Sequence, residues 1–359
     1  MTLLVNLAYG LAQPTGTTTY ALHLRPYLSA LDPIYLSGQA IPDDGGQWIS
    51  VPGDMTAAQG MKGHLKRLWW TQTQLPRLHR QTKATLLFCP IPEAPLGSGI
   101  PYVVTVHDLI PLRFFRPWAP LRLYCQHYLP HILTQAQHIL CNSQTTADDL
   151  ITRLGCPAHR ITPIPLTYDE SRFRPLNLPT QNYFLCLGRN APYKNWQRVI
   201  AAFAQISPDY DLWMVGPYHP RYTPALQAQA QELGIAHRVK ILNFLPAEDL
   251  VAVINQAIAL VFPSLWEGFG LPILEAMACG TPVLTSNLSA MAEVAGDAAL
   301  LVDPHCPDAI AQGMIRLSQD SNLRDQLRQA GFQRIRHFSQ QQFGHRTTQV
   351  LQHTMASQL

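Results

Sequence analysis

Charge is scarce in this chain of 359 residues, where Asp, Glu, Lys and Arg together make up 14%, well below the roughly 25% usual in soluble domains. The formal net charge of +3 is too small to imply a nucleic-acid partner. Long apolar runs are missing as well. None approaches the roughly 20 residues that cross a bilayer, and the opening MTLLVNLAYGLAQP lacks the basic n-region of a signal peptide, so a cytoplasmic protein is expected. Cysteine is limited to seven residues with no C-x-x-C pair, mostly within apolar segments such as FLCLG and HILCN. That argues against a disulfide framework or a zinc site and for reduced core thiols.

Hydrophobic residues, at 47%, are sufficient for a sizeable core, and the length exceeds what one core usually organises, so two domains are expected. The little charge present is unevenly spread. Between Asp54 and Glu93 there is no acidic residue, while Lys62, Lys66, Arg67, Arg77, Arg80 and Lys83 flank Trp69 and Trp70. Such a segment, residues 62–83, can lie on an anionic membrane surface or steer a phosphorylated acceptor. It can equally be a solvated basic helix that buries its tryptophans in its own domain.

Short β-rich runs alternate with helical patterns, the signature of parallel sheets with helices on both faces. The fold class is therefore α/β with doubly wound sheets. In the first half, strands are expected at Leu3 to Leu7, Leu86 to Phe88, Tyr102 to Val106 and His138 to Cys141. Helices are expected at Thr17 to Ser29, Leu121 to Thr134 and Thr145 to Leu154, the last closed by Gly155. Thr167 to Asn182, with Pro175 and Pro179 and no periodicity, reads as a linker. The domains are then 1–170 and 171–338. In the second, Trp196, Val199, Ile200, Phe203 and Ile206 share a helical face, and PILEAMACG is a helix framed by Pro272 and Gly280.

Ligands of open α/β sheets bind beyond the carboxyl ends of the strands, and three segments stand there. Gly188 and Arg189 follow YFLCL, with Lys194 on the opening turn of the next helix. Two cations beside a glycine suit a diphosphate and can stabilise it as a leaving group without a metal; they can also be solvated helix-start residues. The second segment is PSLWEGFGLPILEAMACGTPVLTS. Gly268 and Gly270 let the backbone approach a ligand, and Leu271 begins a helix whose amino end attracts an anion. Glu275 is placed in its first turn and Glu267 eight positions ahead, so the two carboxylates can grip opposite ends of one ligand, with sugar hydroxyls as suitable partners. Alternatively, Glu267 is a loop charge and Glu275 complements the helix dipole. The third segment, VVTVHDLIPLRF, puts His107 and Asp108 after a strand, and an unperturbed histidine there can hydrogen-bond a sugar or assist proton transfer, or be structural.

The E-x7-E spacing within P-S-x-x-E-G-F-G-L-P-x-L-E-A-M-A-C-G-T-P-V resembles glycosyltransferase family 4 of retaining enzymes. That resemblance covers nearly the whole chain. It implies the GT-B fold, two Rossmann-like domains with an active site in the cleft, and a C-terminal stretch from about Ser339 (339–359) crossing back to the first domain. GRNAPYKN, from Gly188 to Asn195, is similar to the family's second signature. By resemblance, Arg189 and Lys194 bind the donor diphosphate, Glu275 the ribose hydroxyls, Glu267 the transferred sugar, and the amides of Phe269, Gly270 and Leu271 the sugar or phosphate. VHDLIPL resembles the segment of mannosyl- and related transferases, which implies a functional His107. CNSQTTADDL, with Asn142 and Ser143 capping a helix, also matches. YGLAQPTGTTTYALHL resembles the glycine-bearing first loop but departs from it, carrying Gln13, Pro14 and Thr15 ahead of Gly16, which is either an acceptor-side contact or a loop end.

The resemblance implies a hexosyltransferase using a nucleotide sugar, GDP-mannose or a UDP-hexose, on a glycan or lipid-linked acceptor, with no other cofactor. No motif places a carboxylate nucleophile, so retention is expected by front-side displacement rather than by the double displacement of retaining glycosidases. Asp209, Tyr210 and Asp211 form a D-x-D string, but it precedes a strand, so no metal site is expected and activity should survive chelation. A sugar-nucleotide epimerase, a non-catalytic nucleotide-sugar-binding protein and a polymer-elongating synthase are the rival readings.

Overall fold

The computed structural model describes residues 1–10, 16–39 and 47–358. Gln13, Pro14 and Thr15 lie outside the described residues. The chain divides into two compact units, Met1–Leu166 with Gln340–Leu359, and Thr167–Ser339.

The first unit is built on a seven-stranded parallel sheet in the order β3-β2-β1-β4-β5-β6-β7. Its strands are β1 (Leu3–Asn6), β2 (Pro33–Ser37), β3 (Gln47–Ser50), β4 (Leu86–Cys89), β5 (Tyr102–Val106), β6 (His138–Cys141) and β7 (Ile161–Pro163). β1, β4 and β5 are buried at every position, because helices cover both faces of a parallel sheet and leave no wet side to pattern. Strand order reverses between β1 and β4, the switch point at which such sheets open a crevice.

β3 and β7 lack the buried run or alternation that reveals a strand, whereas β2 is buried at every position. β3 is a largely exposed edge strand, β7 has three residues and ends in proline, and β2 begins with one. The helix expected over Leu121 to Thr134 forms as one helical run over residues 120–135, with a π turn at Tyr124–Tyr128 between Pro120–Leu123 and Leu129–Gln135. Pro130 sits at the start of the last piece and has no amide proton to donate back into the turn before it. The closing helix Gln340–Ala356 packs on Gly16–Leu28 in this same unit: Thr348 Oγ1 donates to the Tyr27 carbonyl at 3.0 Å, and the Phe343 ring meets Tyr20 edge-on at 5.2 Å.

The basic segment forms two helices, Gly60–Thr73 and Leu75–Thr82. It divides the tryptophan pair, with Trp70 buried and Trp69 exposed. One expectation is corrected: Arg67 is no surface cation. It is buried and doubly bonded to Glu93, Nε to Oε2 at 2.6 Å and Nη2 to Oε1 at 2.7 Å, while its Nη1 donates to the Met55 carbonyl at 2.7 Å. Burial of a guanidinium requires such full pairing.

The second unit has a six-stranded parallel sheet in the order β10-β9-β8-β11-β12-β13. The strands are β8 (Tyr183–Leu187), β9 (Asp211–Val215), β10 (Val239–Leu242), β11 (Ala259–Phe262), β12 (Val283–Ser286) and β13 (Leu300–Val302). Here the order reverses between β8 and β11. Trp196, Val199, Ile200 and Phe203 are buried along the helix Trp196–Phe203, and Ile206, just past its end, joins the same core. All seven cysteines are free thiols, and all but Cys306 are buried. Among the described residues, no helix is long and apolar enough to cross a membrane.

Candidate functional site

The residues singled out in the second unit follow β8 and β11, the two strands that flank its switch point. Gly188 leaves β8 at φ +130°, and a side chain there would press on Lys194, whose Cε would be 3.2 Å from an added Cβ. Arg189 is exposed and makes no ion pair or hydrogen bond among the described residues. Lys194 is not on the opening turn of the following α-helix but in a separate 3-10 turn, Pro192–Lys194. Asn195, at φ +64°, stands between the two.

Asn195 ends the quoted signature, yet sequence reasoning gave it no role. Buried, it donates from Nδ2 to the carbonyls of Pro263 at 2.9 Å and Pro304 at 2.6 Å, so one side chain ties together the loops after β8, β11 and β13. The Leu265 amide adds a bond to the Tyr193 carbonyl at 2.7 Å. These contacts hold Lys194 against the next segment. Its Nζ lies 2.7 Å from Glu267 Oε1, each side chain 11% exposed, and 4.6 Å from the centre of the Phe262 ring. The contact with Glu267 is a close ion pair without the alignment of a hydrogen bond. The Glu267 amide is fixed by Ser289 Oγ at 3.2 Å.

Past Glu267 the chain turns through Gly268, Phe269 and Gly270, all buried. Phe269 anchors the turn edge-on to Phe338 at 5.9 Å. Gly270 has φ +121°, and a Cβ there would come within 3.1 Å of Ile273 Cδ1, so the turn requires glycine. The helix Leu271–Ala278 follows, with no side chain capping its start. The amides of Phe269, Gly270 and Leu271 donate to no group among the described residues. Free amides at a helix start are an anion or hydroxyl site.

Glu275 is the fifth residue of that helix, so it begins the second turn rather than lying in the first, too far along to complement the terminal dipole strongly. Its pKa is raised to about 7, mainly because burial disfavours the charged form; the Arg172 guanidinium opposes this and Asp169 reinforces it. The carboxyl makes no hydrogen bond among the described residues.

In the first unit His107 follows β5, and its Nε2 donates to the Pro90 carbonyl at 2.8 Å, which leaves Nδ1 as an acceptor. The Tyr20 ring sits edge-on to it at 4.9 Å. Burial pushes its pKa down to about 4, with the Pro90 bond opposing. The ring is therefore neutral at pH 7, which corrects the expectation of a histidine titrating near neutrality. Gly16 is the first residue of the helix Gly16–Leu28, with open space where a side chain would go. Ser143 caps the helix Gln144–Leu154 as expected, its Oγ accepting from the Thr146 amide at 3.1 Å, and Asn142 Oδ1 accepts from Thr146 Oγ1 at 3.3 Å. The D-x-D string is tied up locally: Asp209 accepts from Ser207 Oγ at 2.8 Å, and Asp211 pairs with Lys240 at 2.7 Å.

The glycosyltransferase family 4 profile matches residues 14–172, and that of the glycosyl transferases group 1 matches residues 168–334. The O-antigen chain mannosyltransferase B of Escherichia coli is 30% identical over 255 residues, 66% of this chain and 66% of that protein. The O-antigen chain mannosyltransferase RfbU of Salmonella typhimurium is 31% identical over 202 residues, 56% of each. The matched stretch thus spans just under two thirds and just over half the length of these relatives. Among solved structures, the sucrose-phosphate synthase of Thermosynechococcus elongatus superposes with a TM-score of 0.79 over 99% of both chains at 21% identity, which shows the GT-B fold. The two profiles meet at the boundary between the two units, and together they place this chain in glycosyltransferase family 4, among the group 1 glycosyl transferases.

Proposed function

We propose that the chain transfers a hexose from a nucleoside diphosphate sugar to a hydroxyl of a glycan or lipid-linked acceptor, with retention at the anomeric carbon and without a metal ion. The observation that carries this reading is the cluster at the switch point of the second sheet: a guanidinium at Arg189 with no partner among the described residues, the Lys194–Glu267 pair, three free amides and a half-buried Glu275 whose carboxyl makes no hydrogen bond among the described residues. Each has a complementary group in such a donor. Arg189 and Lys194 face the diphosphate, the amides of Phe269, Gly270 and Leu271 take phosphate or sugar oxygens, Glu267 takes sugar hydroxyls, and Glu275 takes the ribose diol. The mannosyltransferase relatives favour mannose as the sugar and GDP-mannose as the donor over a UDP-hexose.

In the reaction, the bond from the anomeric carbon to the phosphate oxygen breaks as the acceptor oxygen bonds to the same face of the sugar. The acceptor's proton passes to the departing diphosphate. Negative charge grows on that group, and Arg189, Lys194 and the start of the Leu271–Ala278 helix are the fixed positive partners that stabilise it. His107, neutral, serves as a hydrogen-bond acceptor through Nδ1 rather than as a proton carrier.

Incubation of the protein with GDP-mannose and UDP-hexoses in the presence of chelator, followed by mass and NMR analysis of the products, tests the proposal. Release of a nucleoside diphosphate together with an α-linked hexoside supports it. An epimerised nucleotide sugar with its phosphate bond intact, or nucleotide binding with no turnover on any glycan or lipid-linked acceptor, would contradict it.

A further inference from the structure

The helix Gly60–Thr73 buries Gly63, Arg67, Trp70 and Thr71, one stripe facing the core. At 3.6 residues per turn, Met61, Leu65 and Trp69 fall on the opposite side. They are 51%, 59% and 60% exposed. The helix therefore carries an outward row of three large apolar side chains, i, i+4 and i+8, about 12 Å from end to end, that none of the described residues of its own unit covers. Single exposed apolar residues need no explanation, but an aligned row calls for a partner.

The charge along this segment has one sign. Residues 55–92 contain no acidic side chain. Asp54 and Glu93, which bound the stretch, are taken up by Lys66 and Arg67. Lys62, Arg77, Arg80 and Lys83 are exposed and form no ion pair among the described residues. Beside the row lies a groove of about 540 Å³ lined by Trp69, Trp70, Lys66, Arg77 and Gln74 among others.

We infer that this face docks on an anionic lipid surface. Met61, Leu65 and Trp69 enter the boundary between headgroups and acyl chains, where an indole is favoured, and Lys62, Arg77, Arg80 and Lys83 contact lipid phosphates. A protein partner of matching chemistry would need an acidic rim around an apolar strip; a bilayer with anionic lipid offers both over its whole surface. The inference rests on the first unit alone and does not depend on the donor site in the second.

Flotation of the full chain with vesicles of phosphatidylcholine, with and without phosphatidylglycerol, tests it. The protein should float with the mixed vesicles and not with phosphatidylcholine alone. A Leu65→Ser, Trp69→Ser variant should lose flotation at least tenfold, and an Arg77→Ser, Arg80→Ser, Lys83→Ser variant should lose about fivefold per cation removed. All five side chains are exposed, so both variants should keep the wild-type circular dichroism and thermal midpoint. Failure of the wild type to float with the mixed vesicles overturns the inference, as does unchanged flotation of the Leu65, Trp69 variant. A concentration-dependent dimer abolished by the same two substitutions, without flotation, would assign the face to self-association instead.

Discussion

Lys194 Nζ and Glu267 Oε1 stand 2.7 Å apart in a setting that leaves each side chain 11% exposed, so the cation proposed to bind a diphosphate already holds a carboxylate. A bound donor would then share rather than create this positive charge, and Glu267 would trade part of its partner for sugar hydroxyls. Truncating either residue leaves the other desolvated without its counter-charge. Lys194→Ala should lower turnover about 10²- to 10³-fold. In a double-mutant cycle followed by thermal unfolding, Lys194→Ala and Glu267→Ala should couple by about 0.5–3 kcal/mol. Additive effects on stability, with unchanged turnover, would remove the pair from the account.

Glu275 gives the site a pH dependence. Its pKa in the folded chain, about 7, lies above the value near 4.3 of a free glutamate. The stability this brings is fully present below about pH 4 and is lost as pH rises through about 7. Relative to Glu275→Gln, the wild type should lose stability between about pH 4.5 and pH 8. Ribose hydroxyls donate best to the ionised carboxylate, so nucleoside diphosphate binding should tighten over about pH 6 to 8 in the wild type and stay flat in Glu275→Gln. Parallel titrations of the two proteins check both statements.

His107 should show no titration near neutrality. Its folded pKa of about 4 lies below the ordinary value near 6.5, so its contribution to stability is present above about pH 6.5 and lost as pH falls through about 4. The imidazole proton resonances, assigned by comparison with His107→Gln, should stay constant from about pH 8 to pH 5. A midpoint near 6.5 would contradict a half-buried neutral ring and restore it as a candidate proton carrier.

Gly270→Ala and Gly16→Ala should behave oppositely. At φ +121°, with Ile273 Cδ1 3.1 Å from an added Cβ, alanine at 270 strains the turn by about 1–3 kcal/mol and shifts the free amides, so donor affinity should fall with stability. At the open helix start, Gly16→Ala should be neutral or slightly stabilising. Thermal midpoints and nucleotide affinity of both variants decide the matter.

The strands that carry site residues were legible in the sequence because they are buried on both faces: Tyr102–Val106 and His138–Cys141 lie where their apolar runs place them, and the framed helix Leu271–Ala278 starts at its glycine and proline. β3 and β13 were not, since an edge strand such as Gln47–Ser50 is largely exposed and very short. The residue types of the candidate site were readable from three short segments. What they touch was not. The Lys194–Glu267 pair joins residues 73 positions apart (267 − 194), and Asn195 reaches Pro304 across 109 positions; no local periodicity encodes either. The burial that moves Glu275 up and His107 down is likewise a property of packing, invisible in composition.

The most direct measurement is calorimetric titration of the wild type, Arg189→Ala and Glu275→Ala with GDP, UDP and ADP and their hexose conjugates. The site described here should bind one diphosphate selectively in the wild type, with GDP favoured, and lose about tenfold or more of that affinity in each variant. Equal affinity in all three proteins, or no nucleotide bound by the wild type, would contradict a donor site at the β8–β11 switch point.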